Sequence, residues 1–439
     1  MSPIAIDTDK YLDIVKRTDG IRLTGRVTEL IGLVIESRGP AVSIGDACLI
    51  EARPEGRQVR AEVVGFRGES VLLMALGEIG GVSPGVSVTA DGHPLRVHVG
   101  HELLGRVLGG LGQPIDGRGP TGAKRTRSLI ATPPDPLTRQ RIAEPLATGI
   151  RCIDGLLTCG KGQRVGIFSG SGVGKSILLG MIARNCEADL NVIALIGERG
   201  REVRDFIEKD LGPEGLKKSI VVAVTSDQAA LIRLKGALLA TTIAEYFRDL
   251  GLDVMLMMDS ITRVAMAQRE IGLAVGEPPA TKGYPPSVFA FLPKLLERSG
   301  TSAVGSITGL YTVLVEGDDM TEPVADAARS ILDGHINLSR KLASENHYPA
   351  IDVLDSVSRV MIDVVDPEHR GGGARVREVL ATHRDAEDLI NIGAYVKGSN
   401  PRIDFAISRI EAIREFLRQD IGDRTDYSQT VGQLKALLN

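Results

Sequence analysis

From Gly20 to about Leu95 the apolar positions fall into short runs: Ile21 to Val27, Leu30 to Ile35, Ala47 to Ile50, Val59 to Phe66, Val71 to Leu76 and Val86 to Val88. Turn-forming pairs such as Gly39-Pro40, Gly45-Asp46, Gly80-Gly81, Pro84-Gly85 and Asp91-Gly92 close them off. Short β-type runs at this spacing predict a small barrel or sandwich. No catalytic constellation falls inside it, so its predicted role is structural. Ahead of it, Thr8 to Lys16 sets Tyr11, Leu12, Ile14 and Val15 among Asp9, Lys10, Asp13 and Lys16, an amphipathic stretch with Thr8 at the N-cap. A helix this short needs its own domain or a partner to cover its apolar side.

Residues 96 to 133 read as a linker rich in Gly and Pro, and beyond them the texture changes. The runs Arg164 to Phe168, Val192 to Ile196, Ile220 to Val224, Val254 to Met258 and Ile307 to Val315 alternate with helical stretches such as Ser176 to Asn185 and Ala229 to Leu250. Buried runs without alternation, separated by helices, predict a parallel sheet covered on both faces. Past Pro367 and a break at Gly371-Gly372-Gly373 the chain turns helical. There Asn400-Pro401 supplies a helix start, and Ile403, Ile407, Ile410, Ile413 and Leu417 one apolar face.

Composition narrows the function. At 439 residues the chain has room for two to four domains of ~100–200 residues each. Aromatics make up only 3%, with no Trp, and 52 basic residues against 56 acidic ones give a net charge of −4. Stacking platforms and a basic footprint are both poorly supplied, which argues against nucleic acid as a partner. The uncharged stretch Ser299 to Val315 is rich in Gly, Ser and Thr and falls short of the ~20 apolar residues of a spanning helix. The first residues lack the pattern of a secretory signal, so a cytoplasmic protein is expected. Cys48, Cys152, Cys159 and Cys186 show no paired spacing and read as reduced, buried thiols.

The strongest chemical signal is Ser169-Gly170-Ser171-Gly172-Val173-Gly174-Lys175-Ser176, which follows an apolar run and opens a helix continuing through Ile177. That is the context of a phosphate-binding P-loop. Its glycines let the backbone curl so that successive N–H groups meet phosphate oxygens, Lys175 adds a point charge, and Ser176 offers a hydroxyl to Mg²⁺. Ser169 stands where the strict pattern has Gly. Hydrolysis also needs a metal-orienting acid and a group that activates water. Asp259 ends one apolar run and takes the Mg²⁺ role through water; Glu198 ends another and is the candidate general base, with Glu202 as its rival.

These residues, with Gly197 to Glu202, Met258 to Arg263, Gly276 to Phe289, Glu316 to Pro323 and Tyr348 to Asp352 running on to Ser358-Arg359, resemble the catalytic subunits of the rotary ATPases. The closer resemblance is to type III protein-export ATPases, and Ala386 to Tyr395 followed by Lys397-Gly398-Ser399 looks like the flagellar members rather than the virulence-type ones. The resemblance implies an N-terminal arm (residues 1–20), a β-barrel (21–95), a RecA-like P-loop ATPase domain with a mostly parallel sheet (96–368) and a C-terminal helical domain (369–439). It implies a homohexamer using ATP and Mg²⁺, with Glu198 as base and Arg199, Glu202 and Arg263 around the phosphates and metal. Arg359 is then an arginine finger reaching a neighbour's site, Tyr348 the adenine contact, and Gly276 to Pro286 a pore-facing loop. By the same likeness, a stator-like regulatory dimer binds the arm at Tyr11, Leu12, Ile14 and Val15. A coiled-coil stalk meets the C-terminal face. Export chaperone–substrate complexes and export-gate membrane proteins complete the set, and any membrane association runs through partners. A ring-shaped RNA helicase and a non-hydrolysing nucleotide-binding scaffold are the competing classes.

Overall fold

The computed structural model describes residues 23–437 apart from 55, 316–318 and 320, together with Thr8 and Leu12. The other residues of the Thr8 to Lys16 stretch, including Tyr11, Ile14 and Val15, lie outside the described residues, as do Glu316, Gly317, Asp318 and Met320 of the segment ending at Pro323. Residues 1–95 and 96–439 form two units.

In the first unit, β1 (Thr24–Ile31), β2 (Val34–Arg38), β3 (Asp46–Ala52), β4 (Arg57–Arg67), β5 (Ser70–Ala75) and β6 (Ser87–Pro94) close into an antiparallel barrel in the order β1-β2-β5-β4-β3-β6. Its interior is aliphatic, built on Ile35, Ile50, Ala61, Val63, Leu73 and Val88 with the Cys48 thiol among them. Gly25 is dictated by a close approach, since a Cβ there would stand 2.1 Å from the Gly39 carbonyl oxygen. One boundary differs from the sequence reading. β1 runs through Thr28-Glu29 to Ile31, and the chain reverses at Gly32, where φ is +59°. Leu30 and Ile31 are exposed, so the apolar run there did not mark burial.

In the second unit, residues 96–133 are not a linker. β7 (Arg96–Val99) pairs with β9 (Arg125–Ser128), and β8 (Val107–Leu108) joins the edge of the main sheet. Val97, Val99, Leu103, Leu108 and Leu129 are buried, and Arg106 grips Asp116 through two bonds of 2.7 and 2.9 Å. The glycines and prolines here make tight turns inside folded structure.

Two short strands, β10 (Pro145–Leu146) and β11 (Cys159–Gly160), pair with each other and flank the short helix α1 (Arg151–Leu156). The main sheet holds nine strands. Besides β8 they are β12 (Arg164–Ser169), β13 (Leu190–Glu198), β14 (Ser219–Thr225), β15 (Asp253–Asp259), β16 (Gly300–Thr301), β17 (Ser306–Leu314), β18 (Gly334–Leu338) and β19 (Ile351–Ser358). Their order is β19-β18-β12-β17-β15-β13-β14-β8, with β16 beside β17. All pairs are parallel except β16 on β17 and β19 on β18. The expected parallel sheet is thus present, extended by β8, β16, β18 and β19, which the apolar runs did not announce. β18 and β19 alternate buried with half-exposed positions, so neither reads as a continuous apolar run.

Helices α2 (Lys175–Asn185), α3 (Gly200–Asp205), α4 (Ala230–Arg248), α5 (Ile261–Val275), α6 (Pro286–Leu296) and α7 (Pro323–Ile331) connect the strands. The C-terminal part is α8 (Pro367–Asn391), α9 (Pro401–Leu417) and α10 (Tyr427–Ala436). α8 runs unbroken through Gly371-Gly372-Gly373, contrary to the expected break. Each glycine costs about 1 kcal/mol against alanine. Several anchors outweigh that: Asp366 caps the first turn through His369 N at 2.8 Å, the His369 ring sits 2.8 Å from Gly155 O, and Arg377 donates to Val353 O and Leu156 O at 2.7 and 3.0 Å. Among the described residues no helix is long and apolar enough to cross a membrane.

Candidate active site

β12 delivers the chain to Ser169, and six residues later α2 begins at Lys175. Gly172 and Gly174 take φ of +79° and +89°, a region in which a side chain is strained. No side chain caps the start of α2, so its first N–H groups remain available to an anion, with the helix dipole behind them. Ser171 is exposed, Val173 is buried, and Ser176 is half-buried in the first turn.

Three strand ends meet over this loop. Lys175 Nζ lies 2.5 Å from Asp259 Oδ1, at the end of β15, and 3.8 Å from Glu198 Oε1, at the end of β13. Thr312 of β17, which no sequence signal singled out, donates to Asp259 Oδ1 at 2.6 Å and orients that carboxylate. Gly197 has φ of +76°, and a Cβ there would stand 3.0 Å from Arg263 Cβ, so glycine lets Arg263 lie along the end of β13. Arg263 itself is placed by α5, whose N-cap Ser260 accepts from its N–H at 3.3 Å.

Burial, and then the negative charge of Asp259, pushes the Glu198 carboxyl up to about 7, with Lys175 pulling the other way. A carboxylate that exchanges its proton near neutrality is suited to general-base work. Glu202 is half-exposed and 3.7 Å from the exposed Arg199, so Glu198 is the one of the two rivals buried beside Lys175. Glu198 Oε1, Ser169 Oγ and Arg263 Nε are buried with no hydrogen-bond partner. Unmet polar capacity around a glycine cradle, with one lysine and two carboxylates, fits a nucleotide triphosphate and Mg²⁺.

A cavity of about 690 Å³ opens beside the loop. Val173, Gly174, Ile177, Met181 and Tyr348 line it, the Tyr348 ring lying 3.4 Å from where a Gly174 Cβ would stand. Arg151, Gln419 and Ile421 complete the wall, and sequence reasoning missed them because they come from distant segments. Arg359 is elsewhere. The register of β19 on β18 sets Ile351 opposite Leu338 and Ser358 opposite Gly334, so Tyr348 lies at the P-loop edge of the sheet and Arg359 at the opposite edge. Opposite β18, four residue steps of ~3.3 Å separate the two ends of β19, roughly 13 Å, with residues 353–356 bulged out of the pairing. Arg359 is exposed and makes no ion pair among the described residues.

Residues 149–358 match the ATP synthase alpha/beta family, nucleotide-binding domain; residues 27–92 match that family's beta-barrel domain, and residues 365–436 the T3SS EscN ATPase C-terminal domain. The "Flagellum-specific ATP synthase" of Bacillus subtilis (strain 168) is 55% identical over 98% of both chains. The chain belongs to the family of flagellar and type III secretion ATPases. Within that family it is also 51% identical to the "Type 3 secretion system ATPase" of Xanthomonas euvesicatoria, over 95% of this chain and 94% of the relative. The assembled type III secretion ATPase EscN from enteropathogenic E. coli superposes with a TM-score of 0.90 at 47% identity, covering 94% of this chain and 100% of that one. As a type III secretion ATPase the chain binds nucleotide and hydrolyses ATP, and its barrel, parallel-sheet domain and C-terminal helices are those the sequence led one to expect.

Proposed function

We propose that this chain is the ATP-hydrolysing homohexameric motor of a flagellar type III protein-export apparatus, coupling ATP hydrolysis to release and unfolding of export substrates and their chaperones. The observation that carries the site is the convergence of Lys175, Asp259 and Glu198 over the P-loop. Gly170 to Gly174 and the first turn of α2 would cradle the phosphates, Lys175 would neutralise the β/γ oxygens, and Ser176, with Asp259 acting through water and Glu202, would hold Mg²⁺. When bound, that ion supplies positive charge to the phosphate chain. Glu198, ionised, takes a proton from the attacking water. Arg199 supports Glu202, and Tyr348 packs against adenine.

Arg359 serves the neighbouring subunit's site. Its place at the edge of the sheet opposite its own P-loop supports this, and an arginine given in trans contributes ~10³–10⁵ in turnover. A coiled-coil stalk at the C-terminal face is supported by the solved complex of EscN with its central stalk EscO, 47% identical at a TM-score of 0.87. The loop from Gly276 to Pro286 faces the pore of the ring. The arm takes a stator-like regulatory dimer, and export chaperones and export-gate proteins dock from the cytoplasmic side, holding the ring peripherally at the inner membrane. The Xanthomonas relative favours an injectisome member as second reading. Capture of partners from the native host, with Lys175→Ala as control, separates the two: flagellar stalk and stator components are expected, and injectisome components in their place overturn the flagellar assignment.

A further inference from the structure

The cavity beside Tyr348 is closed by chain from the C-terminal helices. Between α9 and α10 the segment through Arg418, Gln419, Asp420 and Ile421 forms its wall. Gln419 is only 4% exposed, and its polar groups are engaged on three sides. Its backbone N–H donates to Tyr348 O at 2.9 Å. Nε2 donates to Gly149 O at 2.8 Å and Asp423 O at 3.2 Å, and Oε1 accepts from Arg151 N at 2.9 Å. The Arg151 guanidinium then fastens the same segment, donating to Phe416 O at 3.0 Å and to Arg418 O. None of these bonds involves the P-loop.

We infer that Gln419 is a positioning residue for the base side of the nucleotide site. It ties the Tyr348 backbone to Gly149–Arg151 and to the C-terminal helices, and so fixes the distance between the Tyr348 ring and the face made by Gly174 and Ile177. Without the amide, Gly149 O and Arg151 N lose partners inside the protein, the segment loosens, and the ring loses its placement. The phosphate cradle is left as it was. This inference rests on the reading of Tyr348 as the adenine contact.

Steady-state ATPase kinetics of Gln419→Ala and of the near-isosteric Gln419→Glu, in the full chain, test it. The expected result is KM for ATP raised about five- to tenfold, kcat within about twofold, and an unchanged inhibition constant for inorganic tripolyphosphate, which has no base. In a Tyr348→Ala background the Gln419 effect should disappear. An unmoved KM in both Gln419 variants, with Tyr348→Ala raising it, overturns the inference alone. A weakened tripolyphosphate constant also overturns it, because the role is then general scaffolding. An unmoved KM in Tyr348→Ala removes the adenine reading, and with it the route through which Gln419 acts. If Gln419→Ala does not fold, Gln419→Glu carries the same comparison.

Discussion

The phosphate side and the base side of the nucleotide site are built in opposite ways. On the phosphate side, one continuous stretch from Ser169 to Ile177 supplies the cradle, and two strand ends bring Glu198 and Asp259 to Lys175. On the base side, Tyr348 meets Gly174 only because β19 runs back antiparallel on β18, and the opposing wall comes from residues 418–421. The first side is made of charge and backbone curvature, which a short sequence can specify. The second is made of packing between segments far apart in the chain, so its affinity depends on how the C-terminal helices sit.

The sharpest way to break the phosphate side is Lys175→Ala. Loss of the point charge should lower kcat by ~10³ or more and abolish tripolyphosphate inhibition; retained turnover sinks the assignment. Arg359→Ala should lower turnover by a comparable ~10³, with nucleotide affinity in the isolated subunit unchanged. Mixing it with Glu198→Gln subunits should restore part of the activity, because some interfaces then carry both intact residues. No recovery in the mixture argues that Arg359 acts within its own subunit.

Glu198→Gln should lower kcat by ~10²–10⁴ while leaving nucleotide binding intact. For the parent enzyme, kcat/KM should rise with pH through about 7, as the carboxyl loses its proton. Stability should move the other way. The folded protein holds this proton up to about 7, whereas an ordinary glutamate releases it near 4.5, so the parent loses stability as pH rises across that window. Thermal melts should therefore show Glu198→Gln the more stable of the two above pH 7, with the gap closing below pH 4.5. The smallest effect belongs to the base side: Tyr348→Ala should raise KM for ATP about tenfold, the scale of one lost aromatic contact, and hardly change kcat.

The same division decides what could be read in advance. The P-loop, Glu198 and Asp259 stood out because unbroken apolar runs ended at them, and buried parallel strands carry that mark. Thr312 and Gln419 carry no local mark: one is a small polar residue inside a buried strand, the other a glutamine in a turn, and only tertiary contact gives them a task. β18 and β19 were missed because their outer faces are half-exposed, which breaks the run. The glycines of 96–133 and of 371–373 misled in the same way. Turn-prone composition says that a backbone can bend, and buried contacts through Leu108, Leu129 and His369 decide whether it does.

β19 has Tyr348 just before one end and Arg359 just after the other. The strand is paired with β18 at both ends, around a bulge at residues 353–356, and is strapped to α8 through Arg377, which bonds Val353 O, and through Arg384, which bonds Asp352 at 2.6 Å. In the proposed ring each subunit thus carries one strapped strand, with a hand on its own fuel and a spark for the next chamber.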